Sequence, residues 1–245
     1  MQRRKTKKVF FGDVAIGGDS PITIQSMTNT KTNNVKKTVS QIHELEEAGC
    51  ELIRVAVPDM ESAKQLKNIK KQINIPLIAD IHFDYRLALE AINQGIDGLR
   101  LNPGNIGNKS RVKKVVKNAK NVNIPIRVGV NSGSIEKRLI NKYGHPTAEA
   151  MVESALDQIK ILENNNFEDI VISLKATDIW MTIKAYKLMA KEKDYPFHIG
   201  ITEAGTPKKG VVKSSVGIGS LLTAGLGDTL RVSLTGDPIK EIETS

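Results

Sequence analysis

The sequence predicts a (β/α)8 TIM barrel of the α/β class with a short N-terminal β-hairpin, and three observations lead there. Short β-branched runs bounded by Gly, Pro or Asn alternate with segments of helical spacing. Eight such alternations fit into the 245 residues. No glycine-rich dinucleotide loop follows the first strand of the series, where the chain reads "SMTNTKTNN", and this argues against a doubly wound sheet. The whole chain, 1–245, is therefore read as one substrate-binding barrel domain.

The elements follow in order. The leading "VFFGDVAIGGDSP" reads as a hairpin turning at Gly12-Asp13 and capping the N-terminal end of the barrel. Strands are expected at 22–28, 52–57, 77–82, 98–102, 126–131, 169–175, 197–203 and 229–235. Helices are expected between them at 35–48, 60–72, 85–94, 109–121, 147–164, 179–193 and 213–224. In the first helix Val39, Ile42 and Leu45 fall on one face, and Gly49 stands where a glycine ends a helix. Pro103-Gly104 stops the fourth strand, and Asp237-Pro238 opens a last helix, with proline suited to the first helical position.

Composition narrows the chemistry only a little. The formal charge of +9 suits an anionic partner, but aromatic residues make up only 4%, and no basic-aromatic stretch offers base stacking. Lys113, Lys114, Lys117 and Lys120 read as a solvated helix face. No apolar run is long enough to span a membrane, and no signal-peptide core follows the basic N-terminus, so a cytoplasmic protein without membrane or nucleic-acid partners is expected. Cys50 is the only cysteine; it reads as a packing residue, and no metal site is expected in this chain.

In a barrel of this kind alternate strand residues point inward, and chemistry gathers at the C-terminal ends. Those ends carry Arg54; Asp80 and His82 in "IADIHFD"; Arg100 and Asn102 in "GLRLNPGN"; and Arg127 and Asn131 in "IRVGVNSGS", with Gly129 leaving space between them. They continue with Lys175 in "SLKATD", Thr202 and Glu203 in "GITEAG", and Arg231 and Ser233 in "LRVSLTGD". A lone arginine paired across a barrel to an aspartate is an ordinary structural arrangement, and His82 alone reads as a satisfied polar residue. The set is different, because Arg54, Arg100, Arg127, Lys175 and Arg231 face only Asp80 and Glu203 as nearby carboxylates. Burying unmatched cations costs several kcal/mol each, so the excess implies a multiply charged anion. Guanidinium forks and a lysine point charge suit phosphate oxygens, and a diphosphate fits best.

These stretches, together with "IQSMTNT" and "IRVAVPD", closely resemble the barrel domain of the bacterial 4-hydroxy-3-methylbut-2-en-1-yl diphosphate synthase family, over residues 4–242. The resemblance implies an oxidoreductase of the non-mevalonate isoprenoid pathway. Its reaction is the reductive ring opening and dehydration of 2-C-methyl-D-erythritol 2,4-cyclodiphosphate, with electrons from ferredoxin or flavodoxin passing through a [4Fe-4S] cluster. It further implies that Arg54, His82, Arg100, Arg127, Asn131, Lys175 and Ser233 hold the diphosphate, with Asn102, Thr202 and Arg231 beside it. Glu203 and Asp80 are implied as the catalytic carboxylates. The family's cluster ligands lie in a C-terminal domain absent from this chain, and the family forms a head-to-tail homodimer, so the chain alone is expected to bind substrate without turning it over. The competing readings are another phosphate-ligand barrel such as a pterin-binding synthase, a basic nucleic-acid module, and a non-catalytic diphosphate-binding barrel.

Overall fold

The computed structural model describes residues 2–102 and 104–245; Pro103, expected to end the fourth strand, lies outside them. An antiparallel hairpin, β1 (Val9–Phe11) and β2 (Val14–Ile16), turns at Gly12-Asp13. Eight parallel strands follow: β3 (Thr23–Met27), β4 (Leu52–Ala56), β5 (Leu77–Asp80), β6 (Gly98–Arg100), β7 (Ile126–Asn131), β8 (Ile170–Lys175), β9 (His198–Ile199) and β10 (Thr229–Leu230). They are ordered β8-β7-β6-β5-β4-β3-β10-β9. A parallel bridge between Ile172 and Phe197 brings the two ends together, with the Ile172 N–H donating to the Pro196 carbonyl at 2.9 Å. The result is the expected barrel.

The helices between the strands are α1 (Val35–Glu47), α2 (Met60–Lys70), α3 (Tyr85–Asn93), α4 (Lys109–Asn121), α5 (Lys137–Tyr143), α6 (Ala148–Glu163), α7 (Ile179–Glu192), α8 (Pro207–Thr223) and α9 (Ile239–Glu243). Asn34, Asp59, Asn108, Thr147 and Asp178 each cap the helix that follows them by accepting a backbone N–H. In α1, Val39, Ile42 and Leu45 are buried, as their spacing requires.

Two cores result. The larger lies between strands and helices. The smaller fills the lower lumen, where Val9, Phe11 and Ile16 of the hairpin pack against Leu52, Ile78 and Val171 of the barrel wall. The hairpin thus plugs the N-terminal end, and only the opposite end is open for chemistry.

Four expectations need correction. The seventh strand stops at Ile199 and the eighth at Leu230, because "GITEAG" and "LRVSLTGD" keep a strand-like alternation after the chain has left the sheet. The helix expected from residue 213 begins at Pro207. Helix α5 was missed: it has seven residues and buries only Leu139, too little for a periodic signal.

Candidate active site

The strand register turns the sequence alternation into a layered lumen. Arg54 pairs with Ile78, Asp80 with Arg100, and Arg100 with Arg127, while Asn131 pairs with Lys175 at the top of β7 and β8. The apolar layer of Leu52, Ile78 and Val171 lies at the bottom. Above it opens a cavity of about 270 Å³ whose walls include Arg54, Asp80, His82, Arg100, Arg127, Asn131, Lys175, Thr202, Arg231 and Ser233. Met27, Gly129, Ser173 and Ile201 complete the lining.

Asp80 is the hub of one side. Its carboxylate lies 3.3 Å from Arg54 Nε, 3.1 Å from Arg100 Nη1 and 3.3 Å from His82 Nε2. Burial works against its charge, but Arg54, the His82 hydrogen bond, Arg100 and Arg127 outweigh burial and hold the carboxyl well below its usual range. Asp80 therefore stays ionised at neutral pH and acts as an anchor for cations. Burial lowers Arg54 to about 10, with Asp80 opposing the shift, so Arg54 remains charged at neutral pH. Its guanidinium also donates to Met27 Sδ at 3.2 Å.

The second carboxylate of the site is Glu241. It comes from α9, is buried, and accepts from Arg231 at 3.0–3.1 Å and from the Leu234 N–H at 3.0 Å. Sequence reasoning missed it, since a glutamate in "IKEIE" carries no sign that it faces inward. Glu203, the other expected carboxylate, is exposed, lies past the end of β9 at φ +49°, and is not among the residues lining the cavity. Asn102 also stands outside the lining; its Oδ1 accepts the Gly129 N–H at 3.1 Å and ties the loop after β6 to β7.

Arg127 and Lys175 are 4% and 9% exposed, and among the described residues neither forms an ion pair. Burial, then Arg54 and Arg100, push Arg127 well below its usual range, although a guanidinium keeps its proton in proteins. Lys175 Nζ meets His198 Nε2 at 2.8 Å. His198, fully buried on β9, was also missed, though it shares strand parity with Thr202 and that signal was available. Two glycines leave room for these long side chains. A Cβ at Gly129 would stand 3.2 Å from Arg100 Nε, and one at Gly200 would stand 2.8 Å from Lys175 Nζ and collide with the Arg231 carbonyl. Gly200→Ala is therefore expected to lower the thermal midpoint by several degrees and weaken anion binding together, since it moves Lys175 and Arg231 at once. Thermal denaturation and calorimetric titration check this, and an unchanged variant would mean that Gly200 is not packed as described.

Five basic side chains thus face two carboxylates around one cavity, and comparison with known proteins agrees on what such a barrel belongs to. Residues 6–245 match the family described as GcpE TIM-barrel domain. The 4-hydroxy-3-methylbut-2-en-1-yl diphosphate synthase (flavodoxin) of Clostridium acetobutylicum is 58% identical over 243 residues, covering 99% of this chain and 70% of that protein. The chain belongs to this synthase family. The enzyme of the same name from Geobacillus thermodenitrificans is 56% identical over 245 residues, with 66% of its length covered. Among solved structures, the dihydropteroate synthase of Xanthomonas albilineans in complex with 7,8-dihydropteroate superposes with a TM-score of 0.65 at 12% identity, over 97% of this chain and 96% of that one. A truncated 3-deoxy-D-arabino-heptulosonate 7-phosphate synthase from Thermotoga maritima gives 0.62 at 13%, over 92% and 79%. At such identities these two share the fold with the chain, and the synthase family carries the chemistry.

The residues present do not fit an iron–sulfur cluster. Among the described residues no three His, Cys, Asp or Glu side chains converge as a metal site. Cys50 is buried away from the mouth, and burial raises its thiol to about 12, far from the thiolate a cluster needs. Among the described residues no helix is long and apolar enough to cross a membrane.

Proposed function

We propose that the cavity binds 2-C-methyl-D-erythritol 2,4-cyclodiphosphate as the barrel part of a 4-hydroxy-3-methylbut-2-en-1-yl diphosphate synthase, an oxidoreductase of the non-mevalonate isoprenoid pathway. The observation that carries this reading is the excess of buried basic groups at the mouth: Arg127 and Lys175 have no carboxylate partner among the described residues, and a diphosphate supplies the counter-charge that Arg127, and Lys175 once protonated, require. Arg54, His82, Arg100, Arg127, Lys175 and Arg231 would hold the phosphoryl oxygens, while Asn131, Thr202 and Ser233 offer neutral hydrogen bonds at the rim. Asp80 and Glu241 would keep Arg54, Arg100 and Arg231 aimed inward.

The charges also explain how such a barrel favours the reaction. The overall conversion takes up two electrons and two protons and releases one water. Cleaving the ring C–O bond leaves its electron pair on a phosphate oxygen, so negative charge grows at the diphosphate as the ring opens. Cations preorganised in a cavity of low dielectric stabilise that growing charge more than the cyclic ground state, and this differential lowers the barrier. The apolar plug beneath closes the lower end of the cavity to water.

The relatives' name includes flavodoxin, which supports flavodoxin as the electron donor. A [4Fe-4S] cluster held by ligands outside these 245 residues, a homodimer and a cytoplasmic setting belong to the same reading. The isolated chain is accordingly expected to bind the cyclodiphosphate but show no reductive turnover with reduced flavodoxin. Calorimetry and product analysis check both halves; sustained turnover by the cluster-free chain would overturn the assignment of the redox centre elsewhere, and absence of binding would overturn the assignment of the cavity.

A further inference from the structure

We propose that Lys175 is the proton-accepting residue of the mouth: uncharged and paired with His198 in the empty cavity, it takes one proton from solvent when a diphosphate enters. This rests on the diphosphate reading above and adds a proton linkage to it.

The geometry buries His198 completely and leaves Lys175 only its edge of the cavity to water. Lys175 Nζ and His198 Nε2 are 2.8 Å apart, Lys175 is 9% exposed and His198 is fully buried. The groups facing them are Arg127 from β7, Arg54 from β4, Arg231 after β10, Glu241 from α9, and the Tyr186 hydroxyl of α7, which donates to the His198 carbonyl at 2.5 Å. Glu241 is already engaged by Arg231, and Asp80 by Arg54 and Arg100. A charged Lys175 in the empty cavity would therefore add a fifth cation to a site holding two carboxylates. Guanidiniums cannot shed a proton to relieve this, whereas an amine can.

His198 makes the relief structurally inexpensive. Its Nδ1 is buried and has no hydrogen-bond partner among the described residues, so nothing on that side selects a tautomer. With an uncharged Lys175, His198 donates from Nε2 to the amine; with an ammonium, it carries its proton on Nδ1 and accepts at Nε2. One contact serves both charge states. Electrostatics point the same way: burial first, then Arg127, Arg231 and Arg54, hold Lys175 well below the usual ammonium range, with Glu241 opposing. Burial first, then Lys175 whenever it is charged, and Arg127, Arg54 and Arg231 hold His198 well below its usual range. An entering anion reverses the balance at Lys175, because the amine then faces phosphate oxygens and gains as an ammonium.

The test is calorimetric titration of the chain with the cyclodiphosphate at about pH 8 in two buffers of different protonation enthalpy, such as Tris and HEPES; the ligand's phosphodiester-like hydroxyls are fully ionised there and exchange no protons, whereas an amine in its ordinary state would already be charged. The expected result is a buffer-dependent heat corresponding to uptake of up to one proton per ligand. Lys175→Met is expected to abolish the uptake while weakening binding about 10- to 100-fold. His198→Gln, which offers Lys175 a partner that cannot titrate, is expected to retain the uptake. Binding with a buffer-independent heat in the unaltered chain overturns the proton linkage alone, as would uptake persisting in Lys175→Met. Loss of uptake with intact binding in His198→Gln would put the proton on the histidine and overturn the assignment to Lys175. No binding at all would instead overturn the diphosphate reading.

Discussion

Replacing Arg127 with methionine should weaken cyclodiphosphate binding at least about 100-fold, in line with truncating one partner of a buried charge pair, and at the same time make the unliganded chain more stable. Both effects follow from one arrangement. Arg127 is 4% exposed, has no ion-pair partner among the described residues, and lies close enough to Arg54 and Arg100 for them to oppose its charge. Methionine keeps much of the side-chain length and removes an uncompensated buried charge; exchanges of buried ionic groups for apolar ones are often neutral or stabilising by about 1–4 kcal/mol. Urea denaturation without ligand should show a midpoint at or above that of the parent, while calorimetry shows the loss of affinity. A fall in both would mean that Arg127 holds the barrel together and is no ligand residue. The opposite signs of the two effects are what separate a binding cation from a structural one.

Asp80→Asn should do the reverse in stability, costing about 3–5 kcal/mol because Arg54 and Arg100 lose their shared counter-charge inside the lumen. The cyclodiphosphate should recover part of that loss, since saturation at about 100 times Kd contributes about 2.7 kcal/mol to the folded state. The pH dependence has a definite sign. The Asp80 carboxyl is depressed in the folded state, so its contribution is present above its unfolded value of about 4 and is lost as pH falls below it toward the folded value. The variant should therefore lose stability less steeply than the parent between about pH 4 and 2. Denaturant titrations across that range check the slope; equal slopes would show that Asp80 is not the ion-paired hub described.

Much of the barrel was legible in the sequence because each strand is short, β-branched and followed by a helix whose apolar positions repeat at helical spacing. Strands β3 to β8 all fall within two residues of their expected bounds, β5 and β6 each ending two residues early. The inward cations were legible for a related reason. Strand parity is a local property, so Arg54, Asp80 and Arg100 could be placed on one surface without knowing how the sheet closes.

What could not be read locally is which charges meet. Glu241 lies on a five-residue helix after the last strand, and only closure of the barrel brings it beneath Arg231. Glu203 follows Thr202 in a strand-like run, but β9 ends at Ile199 and the backbone turns through φ +49° at residue 203, so its exposure could not be read from the alternation. His198 sits low in the lumen and acquires meaning only through its contact with Lys175 from the neighbouring strand.

The sequence by itself determined the architecture, the plugged end, the open end and the sign of the charge at the mouth, because periodicity and alternation are written along the chain. The tertiary structure alone decided the balance of that charge: which basic groups are anchored by Asp80 and Glu241, and which, Arg127 and Lys175, are left facing the cavity without a carboxylate. Pairing depends on distances between residues as far apart as 80 and 54 or 175 and 198, and those distances exist only once the strands have closed around a common axis.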